Sequence, residues 1–482
     1  MFNFAKNIAG GIHPVDDGKS LTRNQPIERL NELPPRLYLQ LKQHPGAKAL
    51  AIVREGDAVS AGQLIASANG RFSAPVHAPL NGRVVGVDEQ QIEIKPDRVQ
   101  IPPPPQPIKE TPPHEPALML ELIKNAGIVG MGGAMFPLYD KLELCDKYDI
   151  DSLLINGSEC EPYMTCDDRV MREQSAQIVG GIRLLMQITK AKQAIIGIEK
   201  NKPEAIDAMT SATSEDENIH VHPLPALYPL GSSKQLIRAL TGIQLAEGRR
   251  SASYGVLVHN VASCIAVFEA IRIGRPMTHR VVTISGRAVT QPRNILAPIG
   301  TPISHLISQC GGLVQTPTQQ IMGGPMMGRM ITSVHQPIVK GTCGILMLDE
   351  TESNISVPSS CLRCGRCAQV CPMQLQPLHL LPLVQHEQFD EAKTHGLSQC
   401  LSCGACAYVC PASLPLTASF NWGKFELKKQ RYMTTKSETT RQRAADHQQR
   451  LAAEAEAKKA AKAAKAAKRK SRRNSPAQEE TI

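Results

Sequence analysis

The chain has 482 residues, 42% hydrophobic and 20% charged, the composition of an ordinary globular protein with several domains. Its formal net charge of +10 is confined to the end: residues 424–482 carry 17 Lys and Arg against 7 Asp and Glu, and the rest carries 37 of each. A neutral body argues against nucleic-acid binding, no run of ~20 apolar residues spans a bilayer, and no signal peptide is visible, so the fourteen cysteines read as ligands or free thiols of a cytoplasmic protein rather than disulfides.

In chain order, residues 1–100 contain a segment, Ala47–Ile94, that alternates apolar and polar residues with frequent turns. It has the look of a lipoyl- or biotinyl-carrier β-sandwich. The hairpin tip is Ala68-Asn69-Gly70-Arg71, with no Lys to modify, so a packing or interaction domain is expected. Residues 101–116 are a proline-rich, stiff linker.

Residues 117–275 alternate strands and helices and predict an α/β domain. GIVGMGGAMFPLYDK opens it: Gly130, Gly132 and Gly133 would let backbone amides close on a phosphate or flavin ring, with Lys141 as a phosphate partner. A tight turn opening a helix is the alternative. The strand SLLIN stops at Asn156 and delivers Glu159 and Glu161 to the carboxyl end of a sheet, where open α/β folds bind ligands. A solvated acidic turn is the bland counterpart. A buried strand is predicted over Ala194–Ile198, and Gly231-Ser232-Ser233 precedes a helix carrying Lys234, another ready anion site. The apolar segment Tyr254–Ile271 reads as a buried helix.

Within residues 276–345, His279–Val314 reads as strand, turn, strand and helix, and MGGPMMG at Met322–Gly328 as a packed loop, close approach of two domains being the other reading. Residues 346–423 hold the strongest motif. CLRCGRCAQVCP supplies Cys361, Cys364, Cys367 and Cys371, and CLSCGACAYVCP supplies Cys400, Cys403, Cys406 and Cys410. Three thiolates two residues apart wrap one cube, and the fourth reaches the other. One [4Fe–4S] cluster is therefore expected on Cys361, Cys364, Cys367 and Cys410, and a second on Cys400, Cys403, Cys406 and Cys371. Zinc sites use separated cysteine pairs instead. The 28 residues between Cys371 and Cys400 predict a helical connector with a proline interruption. Residues 424–482 form a basic Ala/Lys-rich tail, either a solitary charged helix or disordered.

The ordered set GxVGMGGAxFP, NGSECEP, YPxGxxKQLI and GGPMMG resembles the C subunit of the Rnf (Rsx) ion-translocating electron-transport complex. The middle region is similar to the NADH-oxidising 51-kDa flavoprotein subunit of respiratory complex I. The resemblance implies a multidomain α/β and α+β chain. Its parts would be the carrier-like β-sandwich, a Rossmann-like FMN/NADH domain, a β-grasp module, a helical two-cluster ferredoxin domain and the tail. It places Gly130, Gly132, Gly133, Lys141, Asn156, Glu159 and Glu161 around flavin and nicotinamide, and Gly231 and Lys234 near phosphate. Met135 stands where the complex I pattern has Gly, Asp167 where it has Lys, and Ser232 and Ser233 where it has two acids. The implied function is electron transfer from NADH through FMN and two clusters to a partner iron–sulfur subunit. The place would be the cytoplasmic face of the inner membrane, with the basic tail near anionic lipid. A soluble cobalamin-reductase-like enzyme and a flavin-free relay subunit are the rival readings.

Overall fold

The computed structural model describes residues 8–14, 18–100, 113, 115–132, 134–353 and 357–473, with side chains to residue 470. Gly133 and nearly all of the proline-rich linker lie outside them. The described chain forms two compact units: one runs to Leu378 and includes Gln399–Thr417, the other comprises His379–Ser398 and the chain from Ala418.

In the first unit, β1 (Ile27–Arg29) precedes a seven-stranded sandwich. Its strands are β2 (Leu37–Gln40), β3 (Leu50–Ala51), β4 (Ala58–Val59), β5 (Leu64–Ser67), β6 (Val76–His77), β7 (Gly82–Val87) and β8 (Gln91–Pro96). They pair as two antiparallel sheets, β2-β8-β7-β4 and β3-β5-β6. Alternation drives this: Leu37, Leu39, Ile92 and Ile94 are fully buried on one face. The β-sandwich expected from the turns is present.

The α/β layer is a four-stranded parallel sheet, β9 (Ser152–Gly157), β10 (Gln193–Glu199), β11 (Ile219–Leu224) and β12 (Val256–Asn260), in the order β11-β10-β9-β12. Leu153, Leu154, Ile155, Ala194, Ile196 and Ile198 are all sealed, as strands covered on both faces require. Tyr254–Ile271 is not one helix. Val256, Val258 and their neighbours continue the sheet as β12. Asn260 then caps the helix Val261–Phe268, its side chain accepting from the amide of Ala262 at 2.9 Å.

The next module is a six-stranded sheet of β13 (His279–Ser285), β14 (Arg293–Pro298), β15 (Gln319–Met322), β16 (Arg329–Met330) and β17 (Gly344–Leu348), joined by β1 along β14. The strand, turn, strand and helix read from His279–Val314 are in place, the helix being Ile303–Gln309. The amino-terminal region therefore contributes to two modules, which its sequence did not signal.

The second unit splits the segment expected to be one ferredoxin domain. The helix Pro377–Gln385 has Pro382 inside it and is followed by the helix Phe389–Thr394. Val384, Phe389, Ala392 and Leu397 are buried here together with Phe420 of the helix Leu416–Arg473. Gly423 lets that helix approach closely: a Cβ there would lie 2.9 Å from Leu397 and 3.0 Å from Val384. The tail is thus helical through Arg473, of the two states left open for it. No helix among the described residues is long and apolar enough to cross a membrane.

Candidate functional site

The glycine loop is closed at its base. Val129 bridges Pro137, Gly130 N donates to Phe136 O at 2.8 Å, and Leu138 N donates to Ile128 O at 2.9 Å. Gly130 and Gly132 have no left-handed backbone, and a Cβ would come no nearer than 3.6 Å at Gly130 or 3.7 Å (to Asn260) at Gly132. Protein packing does not require glycine at either position; the room beside them is of the kind a ligand takes. Gly127 is the opposite case, with φ +66° and a would-be Cβ 2.5 Å from the carbonyl of Pro75. Met135, at the position of the expected Gly, adopts φ 47°, and Gly341 makes space for its side chain.

Lys141 donates to the carbonyl of Val258 in the middle of β12, and burial lowers its pKa to about 8. Nearby His259 is buried, its Nε2 has no hydrogen-bond partner, and burial followed by the Lys141 charge holds the ring well below its ordinary pKa. Asn260 donates to Asp167 at 2.6 Å, so the end of β12 is tied to the acidic loop.

That loop leaves β9 after Gly157; the side-chain amide of Asn156 donates to Gly231 O at 2.8 Å and its oxygen accepts from Ser158 N at 3.1 Å. Glu159, at φ 49°, accepts from the amides of Asp167 and Asp168 at 2.7 and 3.1 Å, holding the start of the helix Cys166–Glu173. Glu161 accepts from Met326 N at 3.3 Å and Met327 N at 2.7 Å, anchoring the methionine loop. Burial pushes both carboxyls up to about 7. The methionine loop is packed and also bridges: a Cβ on Gly404, in the second cysteine motif, would lie 3.0 Å from Met326 O.

Two buried lysines hold the same loop, and neither stood out in the sequence. Lys19 donates to the carbonyls of Glu159, Glu161 and Met164 at 2.9, 2.8 and 2.6 Å. Lys202 pairs with Glu199 at 2.6 Å, both 2% exposed, and donates to Ser158 O at 2.6 Å. Arg280 was equally invisible. It is buried, donates to Met131 Sδ at 3.1 Å and Thr342 O at 3.3 Å, and its Nη2 has no partner. A lone Lys or Arg at the start of a strand or loop carries no periodic or motif signal.

Gly231 sits against the Cys160 sulfur, which accepts from its amide at 3.3 Å. The hydroxyls of Ser158 and Ser232 are buried without partners. Lys234 lies in the first turn of the helix Ser233–Thr241, half-exposed. The next residue, Gln235, donates to Pro372 O at 3.1 Å, beside Cys371. The sequence put this segment near a phosphate; the structure also puts it against the cysteine region.

The two cysteine motifs have matching backbones. Gly365 and Gly404 have φ 75° and 78°, Arg363 and Ser402 φ 51° and 57°, and each of the latter two amides donates to the leading sulfur, Cys361 or Cys400, at 3.4 Å. Such amides stabilise bound thiolates. Burial raises the thiols of Cys371 and Cys406 and that of Cys403, the last to about 11. The charges of Cys400 and Cys371 push Cys403 and Cys406 up further. Cys361 and Cys364 are exposed. Tyr228 closes the gap to the α/β layer: its hydroxyl donates to Cys403 O at 2.6 Å, and Cys160 packs on the same apolar patch as Tyr228 and Cys403.

A parallel sheet whose loops contact paired cysteine motifs, joined to the FMN-binding and 4Fe-4S dicluster profiles that match the chain, defines a flavin and iron–sulfur electron-transfer protein. Family profiles agree module by module. The RnfC barrel sandwich hybrid domain matches residues 6–101, the Nuo51 FMN-binding domain 123–269, the SLBB domain 281–329 and the 4Fe-4S dicluster domain 358–414. The chain is 43% identical over 433 residues to the C subunit of the ion-translocating oxidoreductase complex of Rhodobacter capsulatus, covering 87% of this chain and 83% of the relative. It is 42% identical to the C subunit of the proton-translocating ferredoxin:NAD(+) oxidoreductase complex of Clostridium ljungdahlii, over 80% of this chain and 86% of that one. Identity is 37% with the Na(+)-translocating counterpart of Acetobacterium woodii, over 88% and 97%. The chain belongs to the family of C subunits of ion-translocating oxidoreductase complexes, and it carries an FMN-binding domain and a 4Fe-4S dicluster domain.

Proposed function

We propose that this chain is the electron-entry subunit of a membrane-bound Rnf-type oxidoreductase, peripheral on the cytoplasmic face of the inner membrane. In this reading it oxidises NADH and hands electrons to a ferredoxin-like iron–sulfur subunit. Bound FMN supplies the change from a two-electron hydride donor to single electrons, and two [4Fe–4S] clusters carry them onward.

The residues divide the work. Gly130 and Gly132 leave room for the flavin, and Gly133 is the third glycine of the same motif. Asn156, Glu159 and Glu161 build the acidic wall of the pocket, their hydrogen bonds to Gly231 and to backbone amides fixing its shape. Lys141, on the helix Leu138–Leu142, backs the pocket against β12, and Gly231 and Lys234 lie on the side toward the clusters. Cys400, Cys403, Cys406 and Cys371 hold the cluster beside the flavin domain. Cys361, Cys364, Cys367 and Cys410 hold the outer one, whose exposed Cys361 and Cys364 suit delivery to a partner. Within this reading the α/β layer is a Rossmann-like domain, the SLBB-type module a β-grasp, and the cysteine region with its connector a helical two-cluster ferredoxin.

The observation that carries the proposal is continuity. The acidic loop reaches the second cysteine motif through Glu161 and the methionine loop, through Cys160 and Gly231, and through Tyr228. Flavin extraction and iron analysis of the anaerobically purified chain test it. One FMN with two [4Fe–4S] clusters per chain is expected; clusters without flavin would leave only a relay subunit.

A further inference from the structure

The helix Leu416–Arg473 carries an exposed aromatic face just after its packed turns. Phe420 and Gly423 face the second unit's core. On the other side Trp422 is 41% exposed, Phe425 60%, Tyr432 63% and Met433 59%. At 100° per residue, these four fall within an arc of about 100° together with Lys429 and Lys436. Phe389 meets Trp422 edge-on at 5.3 Å, fixing the indole at the rim of the packed region. A chain with only 4% aromatic residues has gathered three on one exposed stripe.

We propose that this stripe is a docking face for an anionic lipid surface. Amphipathic rings settle at headgroup depth. Lysines among them exclude deep burial but suit a seat in which stems lie on apolar groups and ammoniums reach phosphates. Trp422–Lys436 holds five basic residues and one acidic, so its charge complements an anionic surface. The face grips the lipid at the start of the tail helix, and the Ala/Lys segment beyond adds only diffuse attraction. This deepens the membrane-bound placement proposed above. Its test reads lipid binding with no electron transfer, so either proposal can fail without the other.

Trp422 is the only tryptophan, so its fluorescence reports the face directly. The full-length protein with its clusters is mixed with vesicles of phosphatidylglycerol and phosphatidylcholine, or of phosphatidylcholine alone. Emission should move to shorter wavelength and be quenched by brominated acyl chains on the anionic vesicles only. Phe425→Ser with Tyr432→Ser should lower binding about tenfold, while the visible cluster absorption stays unchanged. Lys458→Gln, Lys459→Gln, Lys462→Gln and Lys465→Gln together should leave the Trp422 response in place. Unchanged emission on anionic vesicles would overturn the proposal and assign the face to a protein partner. Binding that survives the double serine variant but is lost in the quadruple glutamine variant would overturn it too.

Discussion

The hydroxyl of Tyr228 donates to the carbonyl of Cys403 at 2.6 Å, joining the α/β layer directly to a cysteine motif. Tyr228 is 2% exposed. Tyr228→Phe keeps the ring and strands a buried acceptor, which costs about 1–2 kcal/mol. Thermal unfolding should register that loss. An EPR-monitored redox titration should show one cluster's midpoint displaced and the other's unmoved, because the bond reaches only one motif.

The glycine loop separates residues kept for the fold from residues kept for a ligand. Gly127→Ala must be strained, by at least ~1 kcal/mol, since φ is +66° and Pro75 O is in the way. Gly132→Ala has open space and an ordinary backbone. It should leave the melting temperature of the flavin-free chain unchanged while lowering FMN content severalfold. Equal destabilisation by both would mean the tip glycines serve packing.

Lys202 and Glu199 form a buried pair that also pins Ser158. Removing one partner leaves the other buried and uncompensated. Lys202→Met is expected to cost about 3–5 kcal/mol, with Lys202→Met plus Glu199→Gln recovering part of it. Urea unfolding of the three variants checks this.

Glu161 gives the stability a definite pH slope. Burial raises its carboxyl from 4.5 to about 7, against the opposing amides of Met327 and Met326. Between those values the folded chain keeps a proton that the unfolded chain releases. This group's contribution is therefore greatest at the low end of the window and is lost as pH rises through about 7. Glu161→Gln should flatten the profile by up to ~1.4 kcal/mol per pH unit. Urea midpoints at about pH 5 and about pH 7 measure it; Glu159 pushes in the same direction and remains in the variant.

The sequence was most informative where chemistry imposes spacing. Both cysteine motifs, the strand expected to stop at Asn156, which runs one residue further to Gly157, and the proline inside Pro377–Gln385 were readable because ligand geometry, apolar patterning and ring sterics leave local marks. Tyr254–Ile271 was misread because a short apolar run has no period to tell strand from helix; the cap at Asn260 was the available signal. Lys19 and Arg280 were out of reach, since Lys19 meets Glu159 140 residues on and Arg280 meets Met131 149 residues back and Thr342 62 residues on. The same holds for β1, which joins a sheet formed some 260 residues later.

The most direct test of the electron route is NADH addition to the anaerobically purified chain, followed by visible absorbance and EPR. The account predicts bleaching of flavin and clusters together, reduced in Gly132→Ala in proportion to its missing FMN. Full FMN and intact clusters with no bleaching by NADH would contradict it.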